Sequence, residues 1–283
     1  MISTGVIMQG LHIMNNSETR PSDDVFVLFQ KLIRSKLGIY LPKQKRVMLG
    51  HRLLKRVEHI KAKGFSEYFH YINNPNNKDE LDIALELITT NETFFFREPQ
   101  HFDYITRALL PSINPNKTFK VWCAACSTGE EPYSVAMLLS KHYGAPWSIS
   151  ASDVNTKVLE KAKKGIYLNE RTDLLPDDLK KSFCVKGVDE YEGYLRIKPH
   201  IRQRVNFFQF NLINTMNHME KFDLIFIRNV MIYFNDDTRQ QIVNNITQRL
   251  KPSGLLFISH SETLHGLDHT FELIQPAIYR LKN

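Results

Sequence analysis

The stretch Phe119-Lys-Val-Trp-Cys-Ala-Ala-Cys-Ser-Thr-Gly-Glu-Glu-Pro132 decides the fold. It opens with residue types that favour a short buried strand and continues with small residues that include Gly129. An apolar helical pattern through Tyr133, Met137 and Leu138 follows. A strand, a tight loop and a helix in this order are typical of α/β folds, in which ligands bind beyond the carboxyl ends of the strands.

The same alternation continues along the rest of the sequence and predicts a doubly wound, mostly parallel sheet. Strands are predicted over 119–123, 147–151, 205–210, 222–227 and 254–259. Helices are predicted over 155–164 and 236–250, and a closing hairpin over 271–281. The alternation breaks at about 183–204, where glycines and a proline flank the strand-like run 194–197. These signals predict a small antiparallel β insert.

The first third of the sequence has a different pattern. Apolar residues recur at helical spacing over 22–71 and again over 78–89. We therefore predict a flexible tail at residues 1–18, an all-α domain at 19–105 and the α/β domain at 106–283. Between the two patterns lies Thr90–Pro99, where polar residues adjoin three consecutive phenylalanines. This segment is either a buried connector or a loop that closes over a ligand.

The composition excludes several classes of protein. The 283 residues are 42% hydrophobic and 24% charged, as in folded globular proteins rather than disordered or fibrous ones. The sequence has no run of about 20 apolar residues and no secretory signal pattern at its start. Three cysteines do not make a disulfide framework, so we expect a protein of the reducing cytoplasm.

The net charge of +7 is concentrated in residues 31–63, which hold eleven Lys or Arg and a single acid, Glu58. Five basic residues fall together on a different side of a helix predicted from Pro42 than its apolar residues: Lys45, Arg52, Arg56, His59 and Lys63. We name these five the basic stripe. The stripe either binds an acidic partner or is a solvated helix face.

The pair Cys123 and Cys126 has the spacing of a thioredoxin-like redox motif. Its place inside a larger alternating domain favours a different interpretation. We predict that both cysteines are small packing residues beneath the loop.

The loop after the first strand holds a single glycine of the dinucleotide fingerprint, and two acids follow it, Glu130 and Glu131. Acids at a helix N-terminus repel a pyrophosphate and suit a ligand that carries an amino group or a positive charge. Asp153 ends the second strand, where an acid binds ribose hydroxyls in nucleoside-binding sheets; it is alternatively a helix N-cap. A cationic nucleoside without phosphates describes S-adenosylmethionine.

The sequence resembles the CheR family of chemotaxis receptor glutamate methyltransferases over about residues 20–280. Six motifs carry the resemblance, in order and at consistent spacing: Thr90–Glu98, Trp122–Ser134, Ala151–Asp153 with its following helix, Asn211-Leu212, Phe222–Phe234 and Leu250–Glu262. The sequence departs from the family at Cys123 and Cys126, where serine or alanine is expected.

The resemblance implies an all-α domain followed by a doubly wound sheet of the S-adenosylmethionine-dependent methyltransferase type with a β insert. Nine positions match the family's cofactor contacts: Asn91, Thr93, Arg97, Glu131, Asp153, Asn211, Leu212, Arg228 and Asn229. Those matching Arg97 and Tyr233 lie nearest the transferred methyl group. The basic stripe is expected to face the receptor's methylation helices, and in some members the insert docks a receptor C-terminal peptide.

The prediction is therefore a cytoplasmic enzyme, peripheral to chemoreceptor arrays, that forms γ-glutamyl methyl esters and releases S-adenosylhomocysteine without a metal. Two alternatives stay open. One is a non-catalytic module that keeps the cofactor fold. The other is a nucleic-acid methyltransferase that uses the basic stripe, although Arg228-Asn-Val230 stands where an Asn/Asp-Pro-Pro-aromatic motif would be expected.

Overall fold

The computed structural model describes residues 19–282, so the predicted tail at 1–18 lies outside the described residues. The described chain forms two compact units, one made of residues up to Lys36 with Leu41–Ile88 and the other of Leu37–Tyr40 with Thr89 onward. The second unit thus begins at Thr89, earlier than the boundary expected between residues 105 and 106. The physical reason is that the phenylalanine-rich segment packs into the second unit's core, in which Phe95 is fully buried.

The first unit is helical. Its α-helices are α1 (Asp23–Leu37), α2 (Arg46–His59), α3 (Phe65–Ile72) and α4 (Lys78–Ile88), with single 3₁₀ turns at Lys43–Lys45 and Pro75–Asn77. The helix predicted from Pro42 therefore starts as a 3₁₀ turn and becomes α-helical at Arg46. Its predicted apolar side is buried at Leu49, Leu53 and Val57.

The second unit alternates strands with helices. In chain order it contains α5 (Pro99–Tyr104), a π turn (Ile105–Leu109), α6 (Leu110–Ser112), β1 (Phe119–Ala124), α7 (Glu130–His142), β2 (Trp147–Asp153), α8 (Thr156–Lys164), β3 (Ile166–Leu168), α9 (Asp177–Phe183), β4 (Cys184–Lys186), β5 (Tyr194–Ile197), α10 (Pro199–Arg202), β6 (Val205–Gln209), β7 (Phe222–Ile227), α11 (Asp236–Arg249), β8 (Leu250–Phe257), β9 (Phe271–Gln275) and β10 (Ile278–Leu281).

These strands form the predicted doubly wound sheet. Its seven strands run in the order β6-β2-β1-β7-β8-β10-β9, and the first five are parallel while β9 and β10 form the antiparallel hairpin. Buried side chains cover both faces of the sheet, as parallel sheets require. The strand predicted over 254–259 begins earlier, at Leu250, because Leu250 pairs with Phe222 on β7.

The β insert is a separate three-stranded antiparallel sheet in the order β3-β5-β4. It begins before the predicted start at residue 183, because Ile166–Leu168 pairs with the central strand β5. Three-residue strands are too short for a hydrophobic period to indicate them. Within residues 19–282, no helix combines the length and the hydrophobicity that crossing a membrane requires.

Two members of the basic stripe are bonded inside the first unit. The Arg56 Nε donates to Glu80 Oε1 at 2.9 Å, a second Arg56 nitrogen bonds the other carboxylate oxygen, and the Tyr68 hydroxyl donates to Oε1 at 2.9 Å. Arg52 donates to the carbonyl of Ile88. The remaining members, Lys45, His59 and Lys63, are exposed.

The buried Glu80 carboxylate makes the first unit sensitive to acid. Burial by itself would raise the pKa of Glu80, but the hydrogen bonds from Arg56 and Tyr68 and the charge of Arg56 outweigh it and lower that pKa. A carboxylate whose folded-state pKa is depressed contributes stability above its unfolded pKa of about 4.3, and loses it as the pH falls through the folded value.

We expect Glu80→Gln to lower the free energy of unfolding at pH 7 by roughly 1–3 kcal/mol, because it removes charge-assisted hydrogen bonds from a half-buried arginine. The variant's unfolding free energy should also change less than that of the wild type between pH 6 and pH 3. Denaturant unfolding followed by circular dichroism measures both effects. Glu58→Gln, an exposed acid on the same helix bundle, is the matched control, and an equal loss in both variants would contradict this role.

Candidate active site

One cavity of the second unit lies beyond the carboxyl ends of four neighbouring parallel strands, β6, β2, β1 and β7. It is therefore at the edge of the sheet where doubly wound folds bind ligands. All ten predicted cofactor and catalytic positions line this cavity: Asn91, Thr93, Arg97, Glu131, Asp153, Asn211, Leu212, Arg228, Asn229 and Tyr233.

The loop after β1 brings backbone close to the cavity. Ala125, Ser127 and Gly129 have φ values of 62°, 49° and 95°, in the left-handed region. Gly129 is required there, because a Cβ would lie 2.9 Å from the Cβ of Ala162 and 3.0 Å from the Tyr167 hydroxyl. The loop therefore turns tightly into α7 and leaves peptide groups rather than side chains facing a ligand.

Asp153 holds this loop in place. Its Oδ2 accepts from the Ser127 N–H at 2.9 Å, and its Oδ1 accepts from the Asn155 N–H at 2.9 Å. The helix-cap alternative is wrong, because the side chain of Asn155 caps α8 by accepting from the N–H groups of Lys157 and Val158. Burial raises the pKa of Asp153, and the backbone hydrogen bonds oppose that rise.

The two acids at the start of α7 have different roles. Glu131 lines the cavity, whereas the side chain of Glu130 is fully buried. Glu130 accepts from the Thr128 hydroxyl at 2.6 Å and lies 2.8 Å from an Arg171 nitrogen. Arg171 also donates to the Thr93 carbonyl at 2.9 Å, so Arg171 links Glu130 to a residue that lines the cavity.

Arg228, directly after β7, is the centre of a buried ion-pair network. Its guanidinium lies 3.0 Å from Glu131 Oε2 and 3.2 Å from Glu98 Oε2, and it donates to the carbonyl of Arg97. Burial raises the pKa of Glu131 and the charge of Arg228 opposes that rise. The Nε of Arg228 is buried without a partner among the described residues.

The segment Thr90–Pro99 has a buried part and a part that lines the cavity. Phe95 and Phe96 are buried in the core, while Asn91, Thr93 and Arg97 line the cavity. The guanidinium of Arg97 donates to the Glu92 carbonyl at 3.0 Å and lies 5.4 Å from the centre of the Phe94 ring.

Other residues of the cavity lining follow β6 and β7. Asn211 and Leu212 lie just after β6, and Asn229 has a left-handed φ of 58°. The Asn229 amide donates to the Ser259 hydroxyl at 2.7 Å. The hydroxyl of Tyr233 makes no hydrogen bond to any of residues 19–282, so it can bond a ligand.

Two carboxylates near the cavity, Glu98 and Glu262, were assigned no role from the sequence. Glu98 accepts from the Ser259 hydroxyl at 2.6 Å besides its contact with Arg228, and Glu262 accepts four backbone N–H groups around Asn229. Both lie in motifs that resemble the family. Nothing local in the sequence indicates their partners, which are far away along the chain.

Glu98, His101 and His260 have side chains of the types that bind transition metals, with candidate ligand atoms within 4.8 Å of one another. Burial lowers the pKa of the fully buried His101 to about 3, so this imidazole is neutral. The guanidinium of Arg228 lies 3.2 Å from the same Glu98 oxygen that faces both histidines, and its charge opposes a divalent cation there.

The cysteine pair is buried beneath the loop. Cys123 and Cys126 are 0% and 2% exposed, and both are free thiols. Burial raises the pKa of both thiols, which keeps them protonated and unreactive. The packing interpretation is therefore confirmed and the redox alternative is not supported.

Comparison with known proteins agrees with this arrangement. The model of the CheR methyltransferase all-alpha domain matches residues 24–89, and that of the CheR methyltransferase SAM binding domain matches residues 91–279. The chain belongs to the CheR methyltransferase family. Its second unit is therefore the family's S-adenosylmethionine-binding domain, and the junction of the two matches agrees with the unit boundary at Thr89.

Curated relatives cover almost the whole chain. A chemotaxis protein methyltransferase of Escherichia coli (strain K12) is 38% identical over 92% of this chain and 91% of its own length. One of Borreliella burgdorferi is 34% identical over 88% and 91%. Chemotaxis protein methyltransferase 2 of Pseudomonas aeruginosa is 32% identical over 94% and 96%.

Proposed function

We propose that the protein transfers a methyl group from S-adenosylmethionine to glutamate side chains of chemoreceptors and so forms γ-glutamyl methyl esters. The observation that carries the proposal is a cavity at the carboxyl edge of the sheet. It collects every position that matches the family's cofactor and methyl-transfer residues. The printed names of the curated relatives support the substrate class.

The cavity's residues suit S-adenosylmethionine. Backbone N–H groups bond both oxygens of Asp153, but an ionised carboxylate has about four acceptor sites, so acceptor capacity remains for the ribose hydroxyls. Glu131 offers a carboxylate to the ligand's ammonium group, and the left-handed turns at Ala125 and Ser127 allow close backbone approach. The cofactor supplies an electrophilic methyl group on a positively charged sulfur.

The transfer needs alignment rather than proton movement. A glutamate carboxylate, with an ordinary pKa of about 4.3, is ionised at neutral pH. Its oxygen forms the new bond to the methyl carbon as the carbon–sulfur bond breaks, and the electron pair of that bond stays on sulfur. No general base is required, and correct orientation is worth on the order of 7–11 kcal/mol.

Arg97 and Tyr233 are the proposed positioning contacts for the attacking carboxylate. One Arg97 nitrogen already donates to the Glu92 carbonyl, so fewer of its N–H groups are free to bond the attacking carboxylate. The Tyr233 hydroxyl supplies one hydrogen bond. A carboxylate held by these two groups keeps a lone pair free for attack.

The alternatives are less well supported. A binding module without catalysis leaves unexplained why Arg97 and Tyr233 line the same cavity as the cofactor positions. A nucleic-acid methyltransferase would rely on the whole basic stripe, yet Arg52 and Arg56 are bonded within the first unit. The proposed partners are the receptors' cytoplasmic methylation helices, and the proposed location is the cytoplasm beside receptor arrays. The exposed members of the stripe would face those helices, and the small sheet is the proposed place for a receptor tether peptide.

The proposed reaction is tested by incubating the protein with tritiated-methyl S-adenosylmethionine and receptor-containing membranes. Base-labile label on the receptor is the expected result, because methyl esters hydrolyse in alkali. Duplex DNA at low salt serves as the competing substrate. Label on DNA, or no label despite measurable cofactor binding, would contradict the proposed function.

Asp153→Ala should weaken cofactor binding by roughly 10- to 100-fold, because it removes charge-assisted hydrogen bonds worth about 1.5–3 kcal/mol. Isothermal calorimetry with S-adenosylmethionine measures the change. Asp223→Asn, which alters a carboxylate near the start of β7, is the control and should bind normally. Unchanged affinity in folded Asp153→Ala would reduce this residue to a brace for the Ser127 loop.

Reversing the charge of two exposed stripe residues, Lys45→Glu with Lys63→Glu, should slow receptor methylation by at least about tenfold at low salt, because like charges then face an acidic receptor helix. Cofactor affinity should stay within about twofold, and added salt should slow the wild type more than the variant. Lys117→Glu with Lys221→Glu carries the same charge change on exposed residues of the second unit. Equal receptor methylation rates in the two double variants would show that receptor methylation depends on the net charge of the protein and not on the basic stripe.

A further inference from the structure

The carboxylate of Glu262 accepts four backbone hydrogen bonds. Its Oε1 accepts from the N–H groups of Val230 at 2.9 Å and Met231 at 2.8 Å. Its Oε2 accepts from the N–H groups of Asn229 at 3.0 Å and Ser259 at 2.9 Å. One side chain thus satisfies three consecutive peptide groups after β7 and one after β8.

These peptide groups belong to the wall of the cavity. Asn229 is held at a left-handed φ of 58°, a conformation that costs a non-glycine residue free energy and persists only where its surroundings enforce it. Met231 begins the single 3₁₀ turn Met231–Tyr233, whose first N–H groups have no partner within the turn. The Glu262 carboxylate supplies these partners and fixes the direction in which the turn leaves the strand.

We propose that Glu262 is the positioning residue that sets Asn229 and Tyr233 at the reacting end of the cavity. The inference rests on the proposed function, because it assigns Glu262 to the methyl-transfer site. Glu262 does not line the cavity itself, so it acts through the turn that it holds. Burial raises its pKa and the four N–H groups oppose that rise, so the charged form is the one these donors stabilise.

Only a carboxylate on a side chain of this length can accept all four backbone hydrogen bonds. Each of its two oxygens accepts two N–H groups, which uses all of its roughly four acceptor sites. A glutamine keeps the length but replaces one oxygen with an NH₂ group, which is itself a donor. Two backbone N–H groups would then face donor hydrogens, and the turn must move to relieve that contact.

The same turn is linked to the ion-pair network. The Asn229 amide donates to the Ser259 hydroxyl at 2.7 Å, and that hydroxyl donates to Glu98 at 2.6 Å. A shift of the turn therefore also changes the partners of Glu98, which lies 3.2 Å from Arg228. Loss of the Glu262 carboxylate should consequently disturb both the cofactor wall and the position of Tyr233.

The experiment compares Glu262→Gln with Asp223→Asn in the full chain. Asp223 is a matched control because its carboxylate also accepts a backbone N–H, from Lys120 at 2.8 Å, but it does not line the cavity. For each variant we would measure the midpoint of thermal unfolding, the dissociation constant for S-adenosylmethionine by calorimetry, and the receptor methylation rate at saturating cofactor.

Glu262→Gln should weaken cofactor binding by at least about fivefold and slow methylation at saturating cofactor by at least about tenfold, because small misplacements of reacting groups are costly. Asp223→Asn should lower the unfolding midpoint while both functional values stay within about twofold. The proposal would be overturned if Glu262→Gln had the same cofactor affinity and methylation rate as Asp223→Asn. It would also be overturned if both variants lost affinity and rate in proportion to the fall of their unfolding midpoints.

A second variant covers the case in which Glu262→Gln does not fold. Glu262→Asp keeps the charge but is one methylene shorter, so it cannot reach both groups of donors, and we expect at least about a threefold loss of cofactor affinity. Normal affinity in that variant would overturn the proposal. If wild-type protein binds the cofactor but methylates no receptor, the proposed function fails, while the cofactor affinities still decide the role of Glu262.

Discussion

The buried charge of Arg228 is the constraint on which the site depends. Removing a guanidinium from water costs several kcal/mol unless carboxylates neutralise it, so Arg228 requires Glu131 from the start of α7 and Glu98 from the segment before α5. The same guanidinium also bonds the Arg97 carbonyl. The end of β7, the start of α7 and the phenylalanine-rich segment therefore keep their positions together, because none of them can move without leaving a charge unpaired.

The first unit also pairs a partly buried arginine with a carboxylate, and this pairing reduces the basic surface that its composition predicts. The excess of Lys and Arg over 31–63 predicts a continuous basic surface, but Arg56 is neutralised by Glu80, which lies 24 residues along the chain and outside the counted region. Arg52 is likewise used by the Ile88 carbonyl. The long, exposed lysines are what remain for an external partner, and they are the side chains that lose most rotamer freedom on binding.

The sheet was predictable because its signals are local, whereas most of the cavity positions were predicted from the resemblance to the CheR family. β7 is a nearly continuous apolar run, which is typical of a parallel strand buried on both faces, and Asp153 ends β2 at the edge of the sheet where ligands bind. The unpredicted features depend on contacts between distant residues. Glu262 bonds Asn229 over 33 positions and Glu98 bonds Ser259 over 161, and no local period records which donor a carboxylate will meet. The unit boundary was misplaced for the same reason, because only packing shows which core receives Phe95.

The walls of the cavity are held by carboxylates that bond the backbone. Asp153 holds the loop after β1 through the Ser127 N–H, and Glu262 holds the turn after β7 through three N–H groups. β1 and β7 are neighbours in the sheet, so the two braced loops lie side by side at its carboxyl edge, and both border the cavity. Loops that are already ordered lose little conformational entropy when a ligand binds, and more of the contact energy appears as affinity and alignment. For a displacement that moves no proton, that rigidity is the part of catalysis that the protein itself must supply.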